Sequence, residues 1–398
     1  MRPGVLYFAL FVILAGQGRF MSLVLTDSLR LRESEAGWVL GFGILSGLFS
    51  MPFWSMRADT KEIGCKRVLM EMVVLHLLAF SLLPLGRMWF LSTSHDGVYV
   101  MALLSRFFSA ALISPCNSVL DAYTLRVLED KDQYGKERLF GAVSWALANI
   151  LMGVFMDSGV VDPLWVCGGF LLAGTIMFIG LLWKCLPSDG GDNHANVTVV
   201  QEPPSLTGFL NILHLPGMLF FMLVVTLVMG CATSLVEHLL FLFMRTQLQA
   251  SYTLCGVSVV VTVLFEIPLF FVGKPLLLRV GVLWLLVGAM VCYITRVVVY
   301  TLVSNGWAVL LVEPLHGVTY AMLQTASVAF VHSKCPSQQT AQGQGLLNVF
   351  KNSGALLGTV VGSRILQYLG SGILFRGMAL IVTTSLCVLV LARHKALL

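Results

Sequence analysis

Apolar runs about twenty residues long recur from one end of the chain to the other, parted by short polar stretches. Twelve can be marked off, at about 4–27, 36–56, 67–87, 97–120, 139–157, 163–185, 213–243, 253–273, 282–303, 307–331, 343–366 and 372–392. A helix rising 1.5 Å per residue needs about 20 apolar residues to cross the hydrocarbon core of a bilayer. Each run is therefore predicted to be a transmembrane helix. The first, with its basic start and apolar core, has the look of a signal peptide. It continues through "RFMSLVL", longer than the apolar core of such a peptide, so a retained first helix is expected.

Composition agrees with the pattern. Of 398 residues 57% are hydrophobic and 11% charged, with a mean hydropathy of +0.87. Soluble domains carry about a quarter charged residues, so a soluble protein is excluded, and twelve spans leave no room for a separate soluble domain. The one long polar stretch, "LPSDGGDNHANVTVVQEPPS" at 186–205, is rich in loop-forming Gly, Pro, Asp and Asn. It divides the chain into predicted six-helix bundles at 1–186 and 209–398, joined by a linker at 187–208.

Basic residues collect on the cytosolic side of membrane proteins. With the N-terminus inside, the inner segments hold fifteen: Arg2, Arg57, Lys61, Lys66, Arg67, Arg126, Lys131, Lys136, Arg138, Lys184, Lys274, Arg279, Lys334, Arg393 and Lys395. The outer loops hold five: Arg30, Arg32, Arg87, Arg245 and Arg376. Both termini and the linker are expected in the cytosol, where the sequon at Asn196 would stay unmodified. The net charge of +5 reflects this bias and gives no reason to expect a nucleic-acid partner. Nine cysteines stand singly, none in a metal-binding spacing.

The halves echo one another weakly. "RADTKEIGCKR" (57–67) after span two corresponds to "GKPLLLRVG" (273–281) after span eight. "YGKERLFGAVSWALANILMG" (134–153) corresponds to "AQGQGLLNVFKNSGALLGTVVG" (341–362). Such two-fold repetition marks transporters in which two bundles rock about a mid-membrane site. Six plus six helices, with Asp59, Gly64, Lys66 and Arg67 in a short basic loop after span two, resemble the major facilitator superfamily. Thr60 stands where its signature usually has Arg. "YGKERLFGAVSWALA", "LFLFMRTQLQASYTLCGVS", "FEIPLFF" and "EPLHGVTYA" look like the lactose-permease and nucleoside:proton-symporter branch. The resemblance implies an all-α membrane protein of twelve transmembrane helices in two bundles, the major facilitator fold. It also implies gating by the Asp59–Arg67 loop.

Charge inside a span costs about 3 kcal/mol or more and marks a functional candidate. Arg19, Arg106, Glu237, Arg296 and Glu313 fall at one predicted depth, outward of the membrane centre, in spans one, four, seven, nine and ten. Glu313, His316, Tyr320, Gln324 and Ser327 form one helical stripe; Arg106, Asn117 and Asp121 share another face. By resemblance to the permease branch, Arg296 and His316 stand at much the separation of its essential helix-nine Arg and its helix-ten His, and Glu266 lies one turn from the position of its helix-eight Glu. Thr319 stands where that branch has its proton-carrying acid, and Glu313 lies one turn to the other side of His316. Lys351 is expected to snorkel to the cytosolic face.

These readings make Arg19, Arg106, Asn117, Glu237, His316, Tyr320 and Gln324 candidates for substrate binding. Glu266, Arg296, Glu313 and His316 are candidates for proton coupling, with Glu313 expected to pair with Arg296. The expected function is secondary active transport of a small polar solute, a sugar or nucleoside, driven by H+. No cofactor is expected, and nothing demands more than a monomer in the bilayer. No GxxxxGK[ST] phosphate loop, HExxH or GxSxG occurs, which argues against ATP drive and against an enzyme. The alternative is a non-transporting receptor or scaffold on the same fold.

Overall fold

The computed structural model describes residues 3–59, 65–128, 134–185, 206–336 and 339–394. In the first half α1 (Gly4–Ala15) leads through a short α2 (Met21–Leu23) and a π-turn (Val24–Ser28) to α3 (Glu33–Asp59). Then come α4 (Cys65–Phe80), α5 (Leu82–Phe90), α6 (His95–Val127), α7 (Tyr134–Asp157) and α8 (Pro163–Cys185). The second half opens with α9 (Leu206–Leu213), which starts inside the stretch predicted as linker, and α10 (Met218–Phe220). A π-segment (Phe221–Leu227) runs into α11 (Val228–Thr246). It continues with α12 (Tyr252–Phe271), α13 (Gly273–Val280), α14 (Val282–Tyr300), α15 (Gly306–Val309), α16 (Pro314–Lys334), α17 (Thr340–Leu369) and α18 (Ser371–His394). The sequon and most of the predicted linker lie outside the described residues.

Nine helices among the described residues are long and apolar enough to cross a membrane. The other three predicted spans are also helical, but α16 and α17 are more polar and the first is broken. Where one uninterrupted helix was expected over 4–27, the chain leaves α1 at Gly16 and resumes at Met21. The backbone tightens there, with Gln17 N–H to Leu14 C=O and Gly18 N–H to Ala15 C=O both at 3.1 Å. Gly16 abuts the Cys167 carbonyl and Gly18 the Trp145 ring, each too closely to admit a side chain. Span ten is broken likewise. Val312 N–H bonds to Val309 C=O at 3.1 Å and His316 N–H to Glu313 C=O at 2.9 Å. Glu313 thus sits in a tight turn, with Pro314 at the first helical position, where proline costs no hydrogen bond.

Each half packs mainly on itself: α3 on α6, α1 on α7 and α8, and α4 on α6 in one; α11 on α17, α14 on α16 and α18, and α12 on α16 in the other. The halves meet chiefly where α7 packs on α12 and α3 on α17. Glycines permit both contacts. Gly153 lies on the backbone of Tyr252 and Thr253, and Gly256 on that of Asn149 and Ile150; a Cβ on either would come within 2.5 Å of a carbonyl oxygen. Gly37 and Gly41 accept Ser363 and Val360 in the same way.

These contacts gather at one end of the molecule. Tyr252 N–H and Thr253 N–H donate to Asp157 at 2.9 and 2.6 Å, Tyr252 O–H to Asp27 at 2.6 Å, and Ser34 N–H to Gln367 at 2.9 Å. Among the described residues, every hydrogen bond between halves belongs to this end or to Arg19. Among the described residues one end is latched by such bonds, and none of those named lies at the other.

Candidate functional site

The break after α1 delivers Arg19, 3% exposed, across the gap between the halves. Its Nε and one terminal nitrogen donate to the two oxygens of Glu237 on α11 at 3.2 and 3.1 Å, a bidentate ion pair. The same terminal nitrogen lies 3.0 Å from Nε2 of His316 on α16. A guanidinium can only donate, so Nε2 accepts and the neutral ring carries its proton on Nδ1. That Nδ1 has no hydrogen-bond partner and lies 4.0 Å from Glu313, while Nε2 is 3.8 Å from Glu237. His316 therefore stands between two carboxylates.

Glu313 is fully buried. One oxygen accepts from the Thr262 hydroxyl on α12 at 3.0 Å; the other accepts a very short bond from the Tyr300 hydroxyl on α14. The expected Glu313–Arg296 ion pair is not formed. Tyr300 comes between them, and Arg296, 1% exposed, stacks on Tyr293 and Tyr300 at 5.5 and 5.9 Å. Its Nε and one terminal nitrogen are buried without partners. A guanidinium settles on aromatic faces because the ring's negative face attracts it, and a phenol can reach the acid where the fork cannot.

The remaining candidates divide by place. Arg106 does not join the cluster: it donates to Gln17 at 2.7 Å and packs on Gly43 of α3, with Nε unpartnered. Asn117 leaves its buried Oδ1 without a partner. Tyr320 is 37% exposed and its ring packs edge-on against Phe270 at 6.1 Å. Gln324 is half-buried. Glu266 is half-buried with no ion-pair partner among the described residues, close to Gly317, which packs on its backbone. Lys351 is half-buried on α17 and has no hydrogen-bond or ion-pair partner among the described residues. Of the proposed gating loop, Arg67 pairs with Glu71 at 3.1 Å and Lys66 lies over the Trp183 ring at 5.2 Å. Gly64 and the side chain of Asp59 lie outside the described residues.

Three members of the site escape a search for charges. Tyr300 is one turn beyond Arg296, Thr262 one turn before Glu266, and Gln17 two residues before Arg19. Helical spacing placed the first two on the faces of residues already singled out, and that was the available signal.

A two-halved, all-helical bundle with its charges held at the centre defines a polytopic membrane protein of the major facilitator fold. The chain belongs to the MFS_1 like family, whose model matches residues 2–377. It is 27% identical over 189 residues to the raffinose permease of Escherichia coli, an alignment covering 46% of this chain and 42% of that one. It is 25% identical over 164 residues to the melibiose permease of Enterobacter cloacae, covering 41% and 37%. The chain thus matches less than half the length of these relatives. Among solved structures it resembles the nucleoside transporter NupG, with a TM-score of 0.75 at 14% identity, covering 98% of this chain and 97% of that one. It also resembles a POT family transporter in complex with a peptide conjugate, with a TM-score of 0.75 at 13% identity, covering 99% and 96%.

Proposed function

We propose that the protein is a secondary active transporter that moves a small polar solute by alternating access, coupled to protons. The observation that carries this reading is the Arg19–Glu237–His316 contact, a charged link between halves whose other hydrogen bonds to each other, among the described residues, lie at one end. On the expected topology the joined end faces outside, and this is the inward-open state. Sugars and nucleosides, after the printed specificities of the permease relatives and of NupG, are the first solutes to test.

The coupling follows from the tautomer. Neutral His316 accepts from Arg19. A proton arriving at Nε2 would set an N–H against the guanidinium and leave His316 a cation beside Glu237. Glu237 would then have two cations competing for it, and Arg19 would be free to leave with its half. Glu313, reached from Nδ1, is the complementary proton station, and Arg296 is the cation its ionised carboxylate pairs with once Tyr300 moves. Arg106, Asn117, Tyr320 and Gln324 contribute polar contacts on the walls, and the 57–67 loop, with Asp59, Gly64, Lys66 and Arg67, governs the open end.

Proteoliposome uptake of labelled sugars, nucleosides and amino acids, with and without an inward proton gradient, tests the reading. A solute accumulated only with the gradient is expected. Glu313→Gln should retain counterflow exchange and lose accumulation; accumulation equal to wild type would remove Glu313 from the coupling.

A further inference from the structure

α7 and α8 both pack closely on α1 but touch one another little. The gap between them is a groove of about 540 Å3 with α1 behind it, within the range of about 300–1,000 Å3 found for ligand pockets. Val5 and Phe8 of α1, Phe140 and Val143 of α7, and Met177 and Leu181 of α8 line it, and every lining residue is apolar. Phe140 and Val143 are each 40% exposed, so the groove is open on its outer side, where a chain that spans the membrane meets lipid.

Charge stands at one end of this groove. Lys136 precedes Phe140 and Val143 by one and two turns on the same face of α7. Lys184 follows Leu181 and Met177 at matching spacings on α8. α7 starts at the end of the molecule where α8 finishes, so each wall of the groove carries one amine at the same end. Seven residues of helix put those amines about 10 Å from Val143 and Met177.

Both lysines are exposed, and neither has a hydrogen-bond or ion-pair partner among the described residues. The neighbouring acid does not serve them: Glu137 is 5% exposed and turned to α1, where it accepts from Gly4 N–H at 2.6 Å. Lys136 also lies in the first turn of α7, where the positive end of the helix dipole favours an anion. Trp183, 67% exposed beside Lys184, is a residue type that settles at the headgroup level of a bilayer.

An apolar groove with an unpaired amine on each wall calls for a ligand with a hydrocarbon tail and an anionic head. A free phosphate would leave the groove empty, and a lipid of no net charge would leave the amines uncompensated. We propose that the groove between α7 and α8 holds an acyl chain of an anionic phospholipid, its phosphate lying between Lys136 and Lys184. The site lies outside the Arg19–Glu237–His316 contact and does not depend on transport. Its occupant braces α1, the helix that ends at Gly16 and presents Arg19.

The test is lipid binding to the purified full chain in mixed micelles, counted by native mass spectrometry. The probes are phosphatidylglycerol and phosphatidylcholine with identical acyl chains, and glycerol phosphate, which has the anion and no chain. Phosphatidylglycerol should bind at least about tenfold more tightly than phosphatidylcholine, a difference of about 1.4 kcal/mol or more, and glycerol phosphate should not compete with it. Lys136→Gln with Lys184→Gln should bring phosphatidylglycerol down to the level of phosphatidylcholine, and arginine at both positions should keep the preference. Lys274→Gln with Arg279→Gln, exposed on α13 of the other half, should leave it unchanged. Val143→Trp, which fills the groove from an exposed position, should weaken both lipids. Equal binding of the two lipids overturns the proposal, as does a preference that survives loss of both lysines. The same loss in the Lys274, Arg279 variant would show attraction to the whole basic surface and would equally overturn it. So would glycerol phosphate binding as tightly as the lipid, or unchanged lipid binding in a monodisperse Val143→Trp variant.

Discussion

Glu313 is a buried acid satisfied by hydroxyls, and Arg296 a buried cation satisfied by rings; each is one residue, Tyr300, away from the other. Replacing a buried charge that has no counter-ion by an apolar side chain of similar size is often neutral or stabilising. Arg296→Met should therefore leave the melting temperature unchanged or raised while removing proton-driven accumulation. A large fall in melting temperature would show that Arg296 is held by more than its two tyrosines. Tyr300→Phe strands one oxygen of Glu313 and should cost about 1–3 kcal/mol, read as a lower melting temperature, with the loss reduced in the Tyr300→Phe, Glu313→Leu double variant. At this scale the sequence made Arg19, Glu237, His316 and Glu313 conspicuous, since each interrupts an apolar run. It could not show that Arg296 turns from Glu313 to aromatic faces, because reach and rotamer are set by the packing of α12, α14 and α16. Tyr300 and Thr262 pass as ordinary residues of an apolar helix, marked in the sequence only by their one-turn spacing from Arg296 and Glu266.

Nearly every helix was legible from length and hydropathy, because a chain in lipid must satisfy its backbone within each span. The breaks were not. The polar "GQGRF" at 16–20 is short enough for the apolar run to resume beyond it, yet there two glycines pressed against α7 and α8 let the chain turn and present Gln17 and Arg19 to the centre. The predicted tenth span hides the Glu313 turn for the same reason. The small-residue runs "GFGILSG" (41–47) and "GALLGTVVG" (354–362) are where helices approach closely, Gly41 on Val360 and Gly354 on Leu227. The pair at Gly153 and Gly256 sets the approach of α7 to α12 at the latched end. Gly153→Leu should hold that end apart. Uptake should be lost while the protein remains monodisperse, and a spin-label pair at Val160 and Leu302, exposed on opposite halves at that end, should read a longer distance than in the parent. A parent-like distance would mean that the contact is not what closes the end.

The direction of the whole molecule depends on the fifteen-to-five bias of basic residues. In intact cells, an impermeant thiol reagent should label a cysteine introduced at Ser251 and not one at Ser188; the opposite result reverses the topology. On the proposed reading, opening and closing depend on Arg19, whose ion pair with Glu237 links the halves. Removing one partner of a fully buried pair costs about 3–5 kcal/mol. With the Glu237 side chain 38% exposed, solvent screens this pair and the loss is smaller. It still falls only on the state that contains the pair and shifts the equilibrium toward the other. His316→Lys, which fixes a positive charge beside Arg19, should act in the same direction. Electron–electron distance measurements on reconstituted protein, with one label pair at Val160 and Leu302 and a second at Val127 and Leu278, follow both ends at once. In Glu237→Gln, alternating access about this latch predicts a longer distance for the first pair and a shorter one for the second. Two distances unchanged from the parent, or one end moving without the other, would contradict it.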